Sequence, residues 1–513
     1  MKKRSVACAI GAVVTVAVSM WLTGRTPANG NGSPPMVHST LPSERAAKTI
    51  LNTTRRHREW VNLPLGTAVI RAFLVYPQRS DKAPVMIVTG TDEGASDWVR
   101  AVADQLAAEG FLAAVPDVLS GMGPHGGDTE SFPNAEAVAS AIRGMNPDEI
   151  ARRSAVVRDY AIGLPAASGQ SATLQLSPGD AQIEARFGRQ FASFKLNGES
   201  WRDAVSFLSK QTGNRPMVAP APETADMQMA SMSAEDHSAH IMMAMAQQPP
   251  GARGGPPGYP VGKLPDLPAG TFSATSTLKH STLRREFVDL PVGDVKVHTW
   301  IEYPEGDGKA PVVIVMQHGP GMDDWQRALA DQLALQGFIA VAADLYSGLG
   351  PSGGNWDSFE GVDAALRASG KLNPDEAIRR YKAAYNYGIK LPRASGKVAT
   401  VGFCAGGTYS FRFAGEVPEI NAAVVFYGTQ PSDEIMAKIK APVLGFYGED
   451  DARVTSTVEP TVSAMKQQGK SYEPHIYPRA THGFLEFQDL AGNPAATADS
   501  WARTIAFLNQ RLK

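Results

Sequence analysis

"TVGFCAGGTYS", residues 400–410, decides how this chain of 513 residues is read. A β-branched run breaks at Cys404 into a turn flanked by Gly402 and Gly406, and helix-forming sequence follows from about Ala405. Such a strand–turn–helix lifts the residue at its tip above the carboxyl end of a parallel sheet. Glycines two positions away on either side suit it, because a Cβ there would strike the neighbouring strand or helix. The turn also sets the sulfur at a helix N-terminus, where the dipole favours thiolate over thiol. Alone, a free cysteine reads as a small buried hydrophobe, so its surroundings must decide.

Those surroundings are strands alternating with helices. "PVVIV" (311–315), "FIAVAADLY" (338–346), "KVATVGF" (397–403), "NAAVVFYG" (421–428), "APVLGFYG" (441–448) and "YEPHIYP" (472–478) read as strands. "DDWQRALADQLALQG" (323–337) places Trp325, Leu329, Leu333 and Leu335 on or near one helical face with Gly337 as a stop, and "ADSWARTIAFLNQRL" (498–512) is a closing amphipathic helix. The fold class is α/β, a doubly wound and mostly parallel sheet covered on both faces. Two loops at strand ends carry an acid and a base: "GEDDARV" (448–454) and "ATHGF" (480–484). The chain order Cys404, Asp451, His482 is that of nucleophile, acid and base in an α/β-hydrolase. Singly, each residue has a bland reading. Asp451 would be a turn residue with Asp450 as its competitor, and His482 a capping or surface imidazole.

With "GFCAGG", "GEDDARV", "ATHGF" and the strand end "ADLY" in place, residues 284–513 resemble the dienelactone hydrolase family. The resemblance implies a Cys-His-Asp triad, with Cys404 as nucleophile, His482 as base and Asp451 as its orienter. It also implies an oxyanion hole from the backbone N–H groups of Ala405 and of Gly319 in "MQHGPG" (316–321). Two pocket positions depart from the family. His318 stands where typical members carry a glutamate beside the nucleophile, and it either hydrogen-bonds in the pocket or fills space. Glu486 stands where they carry an arginine for the substrate's carboxylate, so a neutral ester or lactone is expected in place of an anionic one.

The chain repeats itself. At a shift of 227 residues, "PVMIVTGTDEGASDWVRAVADQLAAEGFLAAVPDVLSGMGPHGGDTESF" from Pro84 matches the stretch from Pro311 at more than half its positions. A single repeat of this length means tandem domains, the first truncated and degenerate. Cys404 corresponds to Ser177, the elbow glycine Gly402 to Gln175, and the oxyanion donor Ala405 to Pro178, which has no N–H to give. The first copy is expected to be catalytically dead, and to brace the second, cover its pocket or bind a partner.

The expected organisation is an export signal or membrane anchor (1–28), a degenerate copy (50–215), a Pro/Gly/Met-rich linker (216–275) and a catalytic copy (276–513). Lys2, Lys3 and Arg4 ahead of "SVACAIGAVVTVAVSMWL" (5–22) have the layout of an export signal, with Cys8 inside it. Export leaves Cys404 as a free thiol in a periplasmic or extracellular compartment. A net charge of −2 with no dense basic cluster argues against a nucleic-acid partner. No cofactor or metal is assigned; the linker methionines with His237 and His240 suit a soft ion but show no fixed ligand spacing. The expectation is a Cys-dependent hydrolase of esters or lactones. Its alternatives are a non-catalytic scaffold on a duplicated hydrolase fold and acyl transfer to an acceptor other than water.

Overall fold

The computed structural model describes residues 40–179, 181–215, 217, 267–490 and 492–513. The expected export segment and residues 218–266 of the expected linker lie outside them. Among the described residues no helix is long and apolar enough to cross a membrane.

The first copy builds a seven-stranded sheet: β1 (Arg58–Leu65), β2 (Ala68–Val75), β3 (Ala83–Gly90), β4 (Leu112–Pro116), β5 (Ala167–Ser177), β6 (Gln182–Phe187) and β7 (Gln190–Lys195), in spatial order β1-β2-β4-β3-β5-β6-β7. The second builds eight: β8 (Arg285–Val292), β9 (Val295–Glu302), β10 (Ala310–Met316), β11 (Ile339–Ala343), β12 (Ala394–Phe403), β13 (Ala422–Phe426), β14 (Val443–Asp450) and β15 (Tyr472–Thr481), in order β15-β14-β13-β12-β10-β11-β9-β8. Strands β10 to β15 run parallel, and the β8–β9 hairpin joins them antiparallel through β11. That hairpin, and its counterpart β1–β2, escaped the sequence reading.

Each central strand is buried on both faces, which is why it reads as a continuous apolar run. On β10, Val312, Ile314 and Met316 enter one core while Val313 and Val315 enter the other. On β3, Met86 and Val88 split in the same way from Val85 and Ile87. The helix Asp324–Leu335 buries Trp325, Leu329 and Leu333 as expected. Leu335 is 55% exposed, because two residues beyond Leu333 is more than half a helical turn away. Residues 267–275, at the end of the expected linker, pack onto the second copy: Leu267 and Ala269 are buried, and Trp325 Nε1 donates to the Ala269 carbonyl at 3.1 Å.

The copies diverge where the repeat ends. Beyond Phe403 the second chain turns into the helix Ala405–Glu416, whereas β5 runs on to Ser177 and folds back as β6, paired antiparallel from Thr173↔Arg186 to Ser177↔Gln182. A sheet edge that receives β13 in the second copy is thus closed by a β6–β7 hairpin in the first. Ser177 is a buried strand residue, not an elbow.

The copies are joined by polar contacts. Arg100 is fully buried and pairs with Asp363 at 2.6 Å and Asp97 at 2.5 Å, and Arg367 pairs with Asp363 at 2.5 Å and with Glu130. Asn62 Nδ2 donates to the Gly370 carbonyl at 2.7 Å, and the Ala452 N–H donates to the Arg79 carbonyl at 3.0 Å.

Candidate active site

Cys404 stands at the carboxyl end of β12 with φ 55° and ψ −117°, a conformation few non-glycine residues adopt. The glycines around it leave no room for a side chain. A Cβ on Gly402 would come 2.0 Å from the Gly406 carbonyl oxygen, and one on Gly406 would come 2.1 Å from that of Met316. The Cys404 N–H donates to the Phe426 carbonyl at 3.0 Å, tying the turn to β13.

Asp451 follows β14 and His482 follows β15, so all three expected residues reach the same rim of the sheet. His482 Nδ1 lies 2.6 Å from Asp451 Oδ2, and both side chains are buried. The carboxylate at this nitrogen is that of Asp451, not of Asp450. With Nδ1 engaged, Nε2 is the free nitrogen; it is buried without a hydrogen-bond partner, and a ring nitrogen of His482 lies within 4.8 Å of Cys404 Sγ.

The electrostatics follow. Burial alone would raise the Cys404 thiol, but the imidazoles of His482 and His57 outweigh it and hold the thiol well below its ordinary value. For His482, burial acts to lower the pKa, yet the Asp451 carboxylate and Cys404 thiolate push it up to about 9. Burial works to raise Asp451, and its pairing with His482 draws it down instead. The Cys404 thiol is thus drawn down and the His482 imidazole pushed up by each other's charge, the directions that favour a thiolate beside an imidazolium.

Ala405 and Gly319 both line the cavity at Cys404. Ala405 is the first residue of its helix, where N–H groups have no intrahelical acceptor. Gly319 follows β10, and the Tyr346 hydroxyl donates to its carbonyl, fixing that peptide.

The two departing positions meet each other. His318 Nδ1 lies 3.2 Å from Glu486 Oε2, and its Nε2 lies 3.2 Å from Asp323 Oδ2. Burial opposes the charge on His318, but the two carboxylates raise it to about 10, so it is an imidazolium. Burial raises Glu486. Glu486 therefore does not face the substrate as an uncompensated anion, which weakens the repulsion expected from sequence.

One residue escaped the sequence reading altogether. His57, from the first copy, places Nδ1 3.7 Å from Cys404 Sγ, and its ring centroid is 4.5 Å from that of His482. The signal available was modest: at the repeat shift, His57 falls opposite Arg284, upstream of the stretch where the copies match best. The cavity, about 790 Å³, is lined from both copies, with Arg55, His57 and Trp60 facing Phe272, Tyr346, Leu366, Tyr409 and Phe487. Its arginines are engaged: Arg55 with Asp489, Arg56 with Asp104 at 2.5 Å, and Arg58 with the Leu51 carbonyl. Two sets of ligand-type atoms lie within 4.8 Å of one another here, His57/Cys404/His482 and His318/Asp323/Glu486.

A strand–turn–helix elbow at Cys404 on a mostly parallel sheet, with Asp451 and His482 following later strands in that order, is the layout of an α/β-hydrolase fold. The dienelactone hydrolase family model matches residues 70–168 and 297–512, and the chain belongs to that family. A Saccharolobus solfataricus protein described as "Putative carboxymethylenebutenolidase" is 29% identical over 251 residues, 42% of this chain and 94% of that protein. A Bradyrhizobium protein, "Probable 2-oxo-3-(5-oxofuran-2-ylidene)propanoate lactonase", is 29% identical over 246 residues, 45% of this chain and 96% of the other. Among solved structures, the "Putative Dienelactone Hydrolase" of Klebsiella pneumoniae is 24% identical, covering 45% of this chain and all of that one with a TM-score of 0.41.

Proposed function

We propose that this hydrolase cleaves a small carboxylic ester or lactone through Cys404, His482 and Asp451. The observation that carries the reading is the convergence of a buried His482–Asp451 pair, 2.6 Å apart, with a cysteine held at positive φ on the wall of one cavity. The thiolate attacks the carbonyl carbon. The oxyanion that forms is met by the N–H groups of Ala405 and Gly319, and each such donor contributes about 3 to 4 kcal/mol to lowering the barrier. Collapse expels the alcohol and leaves a thioester on Cys404, which water then hydrolyses.

The mostly apolar wall and the engaged arginines favour a neutral substrate, and the carboxymethylenebutenolidase and lactonase names of the relatives favour a lactone or activated ester. The first copy acts as wall and brace, since Ser177 is the last residue of a paired strand and is followed by Pro178. Export through residues 1–28, with or without retention as an anchor, completes the proposal.

The test is hydrolysis of 4-nitrophenyl acetate and of a panel of neutral and anionic lactones by the full chain. Cys404→Ala should abolish turnover with the circular dichroism spectrum intact, and acyl label should be found on the Cys404 peptide of the wild type. A Cys404→Ala protein as active as the parent overturns the assignment.

A further inference from the structure

The sulfur of Cys404 lies against two imidazole–carboxylate pairs, and only one of them belongs to the second copy. The other is His57 with Glu59. His57 Nδ1 is 3.7 Å from Sγ, and Nε2 is 3.9 Å from Glu59 Oε2, with no closer hydrogen-bond partner. Glu59 Oε1 accepts from the Tyr76 hydroxyl at 2.7 Å. The backbone is held as well: the Tyr76 N–H donates to the His57 carbonyl at 2.9 Å, where the β1–β2 ladder begins. Arg453, two residues beyond Asp451, lies 5.3 Å over the Tyr76 ring, and its charge acts to lower both Glu59 and Asp451.

The repeat shows what is inherited here and what is changed. At a shift of 227, Glu59 and Tyr76 become Glu286 and Tyr303, whose hydroxyl donates to Glu286 at 2.6 Å. His57 becomes Arg284, which pairs with Glu286 at 3.7 Å and is 67% exposed. The carboxylate–phenol pair is thus common scaffold. In the one copy that abuts Cys404, the side chain beside that pair is an imidazole. Guanidinium cannot release its proton in a protein, whereas imidazole can give and take one.

We propose that the first copy supplies a second acid–base residue to the active site, His57 oriented by Glu59, while His482 with Asp451 holds the thiolate. This rests on the ester-hydrolase reading above. In acylation the Sγ–C bond forms and the C–O bond to the leaving group breaks, and the departing oxygen takes its electron pair and the Nδ1 proton of His57. In deacylation the neutral His57 takes a proton from water as its oxygen bonds the carbonyl carbon. The C–S bond breaks, its pair returns to sulfur, and the starting charges are restored. Each imidazole then has one task, and no other reactant is needed.

The experiment is stopped-flow hydrolysis of 4-nitrophenyl acetate by the full chain with His57→Gln and His57→Arg, the latter restoring the second copy's residue. The nitrophenolate leaving group needs little acid assistance, so both variants should release a rapid burst of about one equivalent and then stall. Steady turnover should fall about 100-fold or more, the range of general acid–base contributions, with the acyl group trapped on Cys404. Added imidazole should restore turnover in His57→Gln. By contrast, His482→Gln should lose the burst. Turnover by both His57 variants within about threefold of wild type, with no accumulated thioester, overturns the inference while leaving the Cys404 assignment standing. Turnover by Cys404→Ala overturns both.

Discussion

Asp451→Asn probes the centre of this site with the least change of shape. The Asp451 carboxylate, first, and the Cys404 thiolate, second, raise His482 from its ordinary 6.5 to about 9. At 1.36 kcal/mol per pH unit that is about 3 kcal/mol in favour of the imidazolium. Asparagine removes the larger of the two causes. Turned N–H first, it also leaves the Nδ1–H of the imidazolium without an acceptor, which disfavours the charged ring that holds the thiolate. We expect kcat/KM to fall on the order of 10²- to 10⁴-fold. The pH profile should change with it. Activity in the wild type should persist until pH rises through about 9, where the imidazolium is lost. In Asp451→Asn that alkaline limb should move down toward 6.5, and the thiol should titrate at higher pH because its principal counter-charge is weaker. Folding is linked in the same sense. His482 is raised in the fold, so its contribution is complete below 6.5 and is lost as pH climbs through about 9; Asp451 and Cys404 are lowered, so theirs is lost as pH falls. Thiolate absorbance and initial rates across pH, measured on both proteins, make the check. An Asp451→Asn enzyme that keeps the alkaline limb near 9 and the parental rate refutes the reasoning.

Three further perturbations follow from the same contacts. Gly406→Ala would set a Cβ 2.1 Å from a backbone oxygen that cannot move aside, so unfolding in urea should show a loss of about 3 kcal/mol or more. Glu486→Gln leaves the imidazolium of His318 with Asp323 as its remaining carboxylate, so kcat/KM for anionic lactones should rise relative to neutral ones, as a paired substrate screen will show. Arg100→Met strips Asp363, itself buried, of one of its two guanidinium partners, and equilibrium unfolding should register about 3 to 5 kcal/mol.

The elbow was legible because its demands are local. Gly402 and Gly406 answer to contacts made by the turn itself, and Asp451 and His482 each follow a strand whose apolar run is plain in the sequence. The acid could be chosen between Asp450 and Asp451 only from family spacing; in the structure it is Asp451 that lies 2.6 Å from His482 Nδ1. The pocket was less legible. His318 and Glu486 were read as separate departures from the family, but 168 positions apart they form one ion pair, and the charge of each depends on the other. His57 was beyond reach, since its contact with Cys404 depends on how two folded copies dock and not on any pattern around residue 57. The β6–β7 hairpin was hidden for another reason. Past Ser177 the copies no longer match, so the repeat could predict only where likeness stops.

The hydrogen bond from the Ala452 amide to the Arg79 carbonyl ties the segment just after Asp451 to the first copy. With His57 approaching the sulfur across 347 positions of chain, the proposed reaction centre straddles a seam. Severing the molecule at the long intervening stretch would therefore not free a working enzyme from a passive companion. On the chemistry proposed above it would divide the catalyst itself, and each fragment would have to find the other again before a substrate could be turned over.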